Sequence, residues 1–449
     1  MRVFVWCVLL WLAFGRPDVA VAQTAGNAPL QLSVTAAAQQ PGVRGAGLSA
    51  DDFQRLALER NADLQATRLE IAAARGFLTQ ARLRPNPGLD VSFMSGRPLG
   101  SPGEQAIDVG YAHTFELGGK RERRIDVAEV GIEVAELQVA DRERLLRAEI
   151  RSRYAEALAS ARNFSTLGEL FELNQRSFSV AAKRVSEGEA APLEQRLLEV
   201  EVGRIAADRF VAAGAAERAL LALKVVAAIT PTEPVLLSDE LTVPPVEISV
   251  EQAIARALAE RPDVKAARAE EKRAEAEIEL TRAERTPDLI GLVRYGHSST
   301  QFDQFGTTPT GRVVPLRDSD HTLTGGVSIP LPFGSRNQGA IETATARRRA
   351  ALLRREYLEQ SVRGEVTGAY AQYNGARQAV DVFNRQVIKQ AEQSVATIRT
   401  SYELGETPLL DLVQEQRRLV EIQKGFTEAL KELYIARATL EQVVGGELR

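Results

Sequence analysis

Thiols are almost missing from this chain: Cys7 is the only cysteine among 449 residues. It lies in an apolar run, Val3 to Phe14, that follows Arg2 and leads to Ala20-Val21-Ala22, the small-x-small pattern of a cleavage site. Residues 1–22 are therefore expected to leave as a signal peptide, with the mature chain beginning near Gln23 outside the cytoplasm. A mature chain without thiols has no disulfides, no thiolate metal site and no cysteine nucleophile. Beyond the leader no stretch approaches ~18 uninterrupted apolar residues, so any membrane crossing falls to strands rather than to a helix. Aromatics are scarce at 6%, whereas Ala, Leu, Glu and Arg abound, which favours extended helix over a doubly wound α/β enzyme. A net charge of -4 leaves no footprint for nucleic acid. No catalytic triad, paired-carboxylate site or phosphate loop is present; Gly118-Gly119-Lys120 lacks the upstream glycine of a P-loop. The expectation is a protein that is not an enzyme and uses no cofactor.

What is present is a duplication. Leu48-Ser49-Ala50-Asp51-Asp52-Phe53 is echoed by Ile248-Ser249-Val250-Glu251-Gln252-Ala253. At the same offset of 200, Ala57, Asp63, Arg68, Glu70, Arg82 and Pro87 meet identical residues at Ala257, Asp263, Arg268, Glu270, Arg282 and Pro287. The chain thus divides into a polar arm (23–47), a first repeat (48–229), a proline-rich linker (230–247) and a second repeat (248–449). Ser49 and Ser249 precede acidic first-turn residues, as N-caps do, and Asn61 and Pro262 split a short helix from a longer one.

After Pro87 and Pro287 the hydrophobic period changes to two. Leu89, Val91 and Phe93 alternate with Asp90 and Ser92, and Ile107, Val109, Tyr111, His113 and Phe115 with Asp108, Gly110 and Thr114. In the second copy Leu323, Gly325, Val327 and Ile329 alternate with Thr322, Thr324 and Ser328, whereas Ile290 and Leu292 interrupt the run from Leu289 to His297. These patterns predict hairpins over 88–116 and 288–333, with Gly96–Gly103 and Ser298–Ser319 as exposed loops. Ribbons apolar on one face and polar on the other suit a water-lined barrel in lipid; the alternative is a half-buried hairpin of a soluble sheet. Two hairpins cannot close a barrel, and open edges cannot sit in lipid, so a membrane role requires several chains to pool their strands.

Matched corners follow, Phe115-Glu116-Leu117-Gly118-Gly119-Lys120-Arg121 and Leu331-Pro332-Phe333-Gly334-Ser335-Arg336-Asn337, each leading into a long helix without proline. The predicted helices run over 119–187 and 336–403, return helices over 192–229 and 408–445, and Gly188 and Gly405 mark the turns between them. In the second long helix Val362, Val366, Ala369, Tyr373, Ala376, Val380, Phe383 and Val387 step by four and three, the seam of a left-handed coiled coil. His113, His297 and His321 lie in or beside strands, where interfacial packing is the ordinary role.

At this point the residues resemble the TolC family of outer-membrane efflux channels. The carriers are Pro85-Asn86-Pro87 before the first strand, Phe115 to Arg121, Pro330 to Gly339, and Tyr402 to Leu412. The Phe115–Arg121 corner is most similar to the cobalt–zinc–cadmium branch that serves heavy-metal efflux. The resemblance implies a mainly α chain with a membrane β-barrel part. As a homotrimer it would form a twelve-stranded barrel in the outer membrane, continuing into a long α-helical barrel in the periplasm. It implies a passive export duct that docks onto a periplasmic adaptor and an inner-membrane RND-type pump, touching outer-membrane lipid and no nucleic acid. Alternatives are a multidrug or small-molecule duct of the same fold and, from another class, a periplasmic adaptor, which carries a single helical hairpin between β-rich domains.

By the same resemblance the bore closes near the periplasmic tips, where acids after the turn ring it. Asp411 stands at the matching place, Gln414 where the next family acid falls, with Glu415 beside it, and Glu194 at the equivalent point of copy one. Tyr402 is a candidate latch between helices. For each, the alternative is an ordinary helix position. Glu187, Gly188 and Glu189, with Leu404, Gly405 and Glu406, are the candidate adaptor contacts.

Overall fold

The computed structural model describes residues 47–448 except 100–102, 239 and 405; the expected signal peptide, the arm up to residue 46 and Gly405 lie outside the described residues. Repeat one runs α1 (Ala50–Arg60), α2 (Ala62–Arg82), β1 (Gly88–Ser95), β2 (Gln105–Phe115), α3 (Lys120–Ser186) and α4 (Pro192–Val226). Repeat two runs α5 (Val250–Glu260), α6 (Pro262–Ala283), β3 (Leu289–Thr307), β4 (Val313–Ser328), α7 (Gln338–Val382), α8 (Ile388–Glu403) and α9 (Leu409–Val444).

The copies begin with the same local chemistry. Ser49 Oγ accepts from Asp52 N at 3.2 Å while the Asp52 carboxylate accepts from Ser49 N at 3.1 Å. Ser249 and Gln252 repeat the box at 3.3 and 3.2 Å. Asn61 caps α2 through Leu64 N at 3.1 Å, and Pro262 starts α6 at the position where a missing N–H costs nothing. Further along, Arg68 meets Glu143 at 2.7 Å and Arg268 meets Glu359 at 3.0 Å, one ion pair made twice.

At 67 residues α3 rises roughly 100 Å at ~1.5 Å per residue. It packs against α2, α6, α4 and α9, and α7 packs against α6 and α9. The core is a series of patches along the helices: Phe53, Leu64, Ile150 and Tyr154 in one, and Val362, Val366, Tyr373 and Leu440 in the next. The linker joins the second patch, where Val246 N donates to the Tyr373 hydroxyl at 2.9 Å.

The second long helix is not uninterrupted. Phe383–Val387 form one π turn, with Ile388 N bonded to Phe383 O, and the Phe383 ring lies on Gly425 and against Phe426, 5.9 Å between centroids. A π turn adds one residue without breaking the helix. Its effect is visible in the seam: Val362, Val366, Ala369, Tyr373 and Val380 are buried as the heptad predicts, but beyond the turn the packed positions become Ala391, Ile398 and Tyr402, each one residue late. Leu146 and Val362 therefore correspond at an offset of 216, and Ala181 and Ile398 at 217. Asn337 caps α7 with φ 59°, so that helix starts at Gln338 rather than Arg336.

The strands form one antiparallel sheet in the order β1-β2-β3-β4. The register aligns Leu89, Tyr111 and Val293 in one row and Val91, Val109, Tyr295 and Leu323 in the next. Among the described residues nothing covers that face, with Phe93 71% and Leu323 77% exposed. The opposite face carries Asp90, Asp108, Arg294, Thr322 and Thr324. There Gly110 leaves room for Arg294 to cross β2 and approach Asp90 at 3.6 Å. Leu292, which breaks the alternation, lies over Gly326 and fills the space of a missing side chain.

The second hairpin departs from expectation at both ends. Most of Ser298–Ser319, expected as loop, is strand: β3 and β4 pair as far as Thr307 and Val313, with an irregularity between Gln301 and Phe305. Phe302 and Phe305 stand three apart among polar residues, so this reach hides from a hydrophobicity pattern of period two. At the other end the strand stops at Ser328, because Pro330 and Pro332 have no N–H for a ladder.

Candidate functional site at the helix tips

Both hairpins of long helices end in the same turn. Beyond α3, Glu189 N bonds Arg184 O at 2.8 Å and Gly188 N bonds Val185 O at 3.1 Å, closing a Schellman motif on Gly188 with φ 81°. Beyond α8, Glu406 N bonds Ser401 O at 2.9 Å, the counterpart of the Glu189–Arg184 bond, and Gly405 lies outside the described residues. Glu187, Gly188, Glu189, Leu404 and Glu406 are all exposed.

Just behind the turns the hairpins meet in a small core of Ala181, Leu198, Leu409, Leu412 and Val413, with Phe178, Ile398 and Tyr402 against it. Tyr402 reaches from α8 to α4, its hydroxyl donating to Glu194 Oε2 at 3.3 Å. Burial pushes the Tyr402 hydroxyl pKa up, and the Glu194 charge adds to the effect. Two of the sequence-predicted residues thus come together. Asp411 and Gln414 do not join them: both are exposed on α9, one turn apart on one face. Glu415 is half-buried and 3.9 Å from Arg418.

A third element of the site has no sequence signal. Glu201 of α4 is buried, its side chain 3% exposed, between Arg204 at 2.7 Å and Arg417 of α9, whose Nε lies 3.0 Å from Oε1 and whose Nη2 bonds Oε2. Burial by itself would raise the Glu201 pKa; the two guanidiniums outweigh it and hold the carboxyl at about 2. Glu201 and Arg417 are 216 positions apart, so no local pattern pairs them. Among the described residues no group of three or more His, Cys, Asp or Glu is arranged to hold a metal ion, and no helix is long and apolar enough to cross a membrane. A cavity of about 900 Å³ lies far from the tips, between α2, α3 and α6.

Paired helical hairpins leading to a four-stranded sheet with an exposed apolar face make up the described residues. The same fold is found in the structure of CusC, described in terms of transmembrane channel formation, with a TM-score of 0.71 and 16% identity over 96% of this chain and 100% of that one. The outer membrane efflux protein family matches twice, over residues 54–223 and 253–446, one match per repeat, and this chain belongs to that family. It is 25% identical over 438 residues to the cobalt-zinc-cadmium resistance protein CzcC of Cupriavidus metallidurans, covering 97% of this chain and 98% of that protein. It is 29% identical over 310 residues to the nickel and cobalt resistance protein CnrC of the same organism, covering 67% of each.

Proposed function

We propose that three copies of this chain assemble into a passive duct through the outer membrane and periplasm, exporting heavy-metal cations delivered by a periplasmic adaptor and an inner-membrane RND-type pump. The observation that carries the reading is the sheet. Among the described residues its two edges, β1 and β4, have no partner and its apolar face has no cover. Three such sheets, three times four strands, would close a barrel of twelve with the apolar rows on lipid and the Asp90–Arg294 face on water. The helices leave matching faces bare: Leu193, Leu197, Val200 and Val211 on α4, Tyr357 and Val382 on α7. Sister subunits would shelter these along the tunnel.

The cargo is argued from the relatives' names, which concern cobalt, zinc, cadmium and nickel resistance. At the tips, Asp411 and Gln414 would face the bore, Tyr402–Glu194 would latch its closed form, and Glu187–Glu189 with Leu404–Glu406 would meet the adaptor. Three symmetry-related Asp411 carboxylates in a narrow bore would attract cations. The test is threefold: fractionation with the outer membrane, a trimer on unheated gels that collapses on boiling, and cobalt, zinc or cadmium sensitivity on deletion. Metal tolerance unchanged on deletion, with drug tolerance lost, would move the cargo to small organic molecules.

A further inference from the structure

We propose that the β4–α7 corner holds the phosphate headgroup of an anionic phospholipid. A pocket of about 650 Å³ there is lined by Arg282, Arg285 and Arg336, with Pro287, Leu331 and Phe333. Arg282 already pairs with Glu279 at 2.6 Å, but among the described residues Arg285 and Arg336 have no carboxylate partner and both are exposed. Glu284, at the margin, accepts from Asn337 at 3.3 Å. Beside these cations the apolar surface of the sheet continues: Val327, Ile329, Leu331 and Phe333 are all exposed at alternate positions, Phe333 at 82%. Two unpartnered guanidiniums at the end of an apolar face are what a phosphate joined to acyl chains requires. Free phosphate would satisfy the arginines and leave Phe333 in water.

The other corner of the chain shows what is unusual here. Lys120 occupies the place of Arg336 in copy one, and it is bound to Asp288 at 2.7 Å. Arg124 is bound to Glu116, and Arg121 donates to Arg82 O at 2.8 Å. The residue that corresponds to Asp288 in copy one is Gly88, so a neighbouring copy placed by the ring reading would offer Arg336 no counterpart of Asp288. The inference rests on the barrel reading, which puts this corner at the periplasmic rim of the apolar band.

The experiment is native mass spectrometry of the full-length protein in detergent, titrated with phosphatidylglycerol, phosphatidylcholine or inorganic phosphate. The wild type is expected to retain phosphatidylglycerol in preference to phosphatidylcholine, with millimolar phosphate a poor competitor. Arg285→Gln with Arg336→Gln should weaken phosphatidylglycerol binding roughly 30-fold. The double lysine replacement should keep most of it, and Arg312→Gln, at the far end of the hairpin, should change nothing. Equal retention of the two lipids, an unchanged titration in the double glutamine variant, or full displacement by phosphate overturns the proposal. Loss of outer-membrane fractionation and of the heat-labile trimer would instead indict the barrel reading.

Discussion

Arg417 on α9 closes on Glu201 on α4, Nε to Oε1 at 3.0 Å, so that an ion pair across 216 positions joins the two repeats just above the tips. A buried carboxylate that loses one of two guanidiniums is costly because the remaining charge stays desolvated. Arg417→Ala should weaken the local structure by about 3 kcal/mol. Amide exchange around Glu201 and Arg417 should then accelerate by roughly 100-fold, while exchange near Tyr154 stays as it was. Equal protection in wild type and variant would show that the pair is idle.

The same carboxylate gives a pH window. Its folded pKa, about 2, lies below the ordinary value of 4.5, so its stabilising contribution is complete above about pH 4.5 and is lost as pH falls toward 2. Exchange protection at the tips should decline across that interval in the wild type. In Glu201→Gln the decline over the same interval should be shallower.

Tyr402 and Glu194 join the hairpins by a single hydrogen bond at 3.3 Å. Tyr402→Phe should cost the closed form about 1 kcal/mol, raising open probability several-fold in planar bilayers. Glu194→Gln should produce a smaller effect when added to Tyr402→Phe than alone, since one contact cannot be lost twice.

Asp411→Asn should weaken block of the channel by divalent or trivalent cations in the same bilayers. An unchanged block would remove Asp411 from the bore.

Ala228, past the end of α4, has φ 56°, with Ile229 N bonded to Lys224 O at 2.8 Å. That left-handed closure favours glycine, and Ala228→Gly should stabilise the α4–linker junction by about 1 kcal/mol. Calorimetry or local exchange would register it, and a loss of stability would contradict the strain.

Periodicity makes the long elements legible. The offset of 200 exposes the repeats, and the heptad alone locates Val362, Val366 and Tyr373 in the core, where they are buried. Alternation assigns Leu89, Val91 and Phe93 to one sheet face, and the register confirms it. The extension of β3 to Thr307 is hidden because Phe302 and Phe305, three apart among polar residues, break the period of two. At the tips, the family resemblance singles out Glu194 and Tyr402 but passes over Glu201, which is buried against an arginine from the other repeat. Contacts that join distant segments leave no local period.

The π turn at Phe383–Val387 keeps two copies of unequal length in step. A single inserted residue would ordinarily rotate everything beyond it by about 100° and turn Ala391 and Tyr402 toward solvent. Here the surplus is absorbed on the spot, like a leap day, and both arms of the molecule keep time. Copy two therefore carries one residue more than copy one between its corner and its tip, and Tyr402 still packs on the same small core as Ala181.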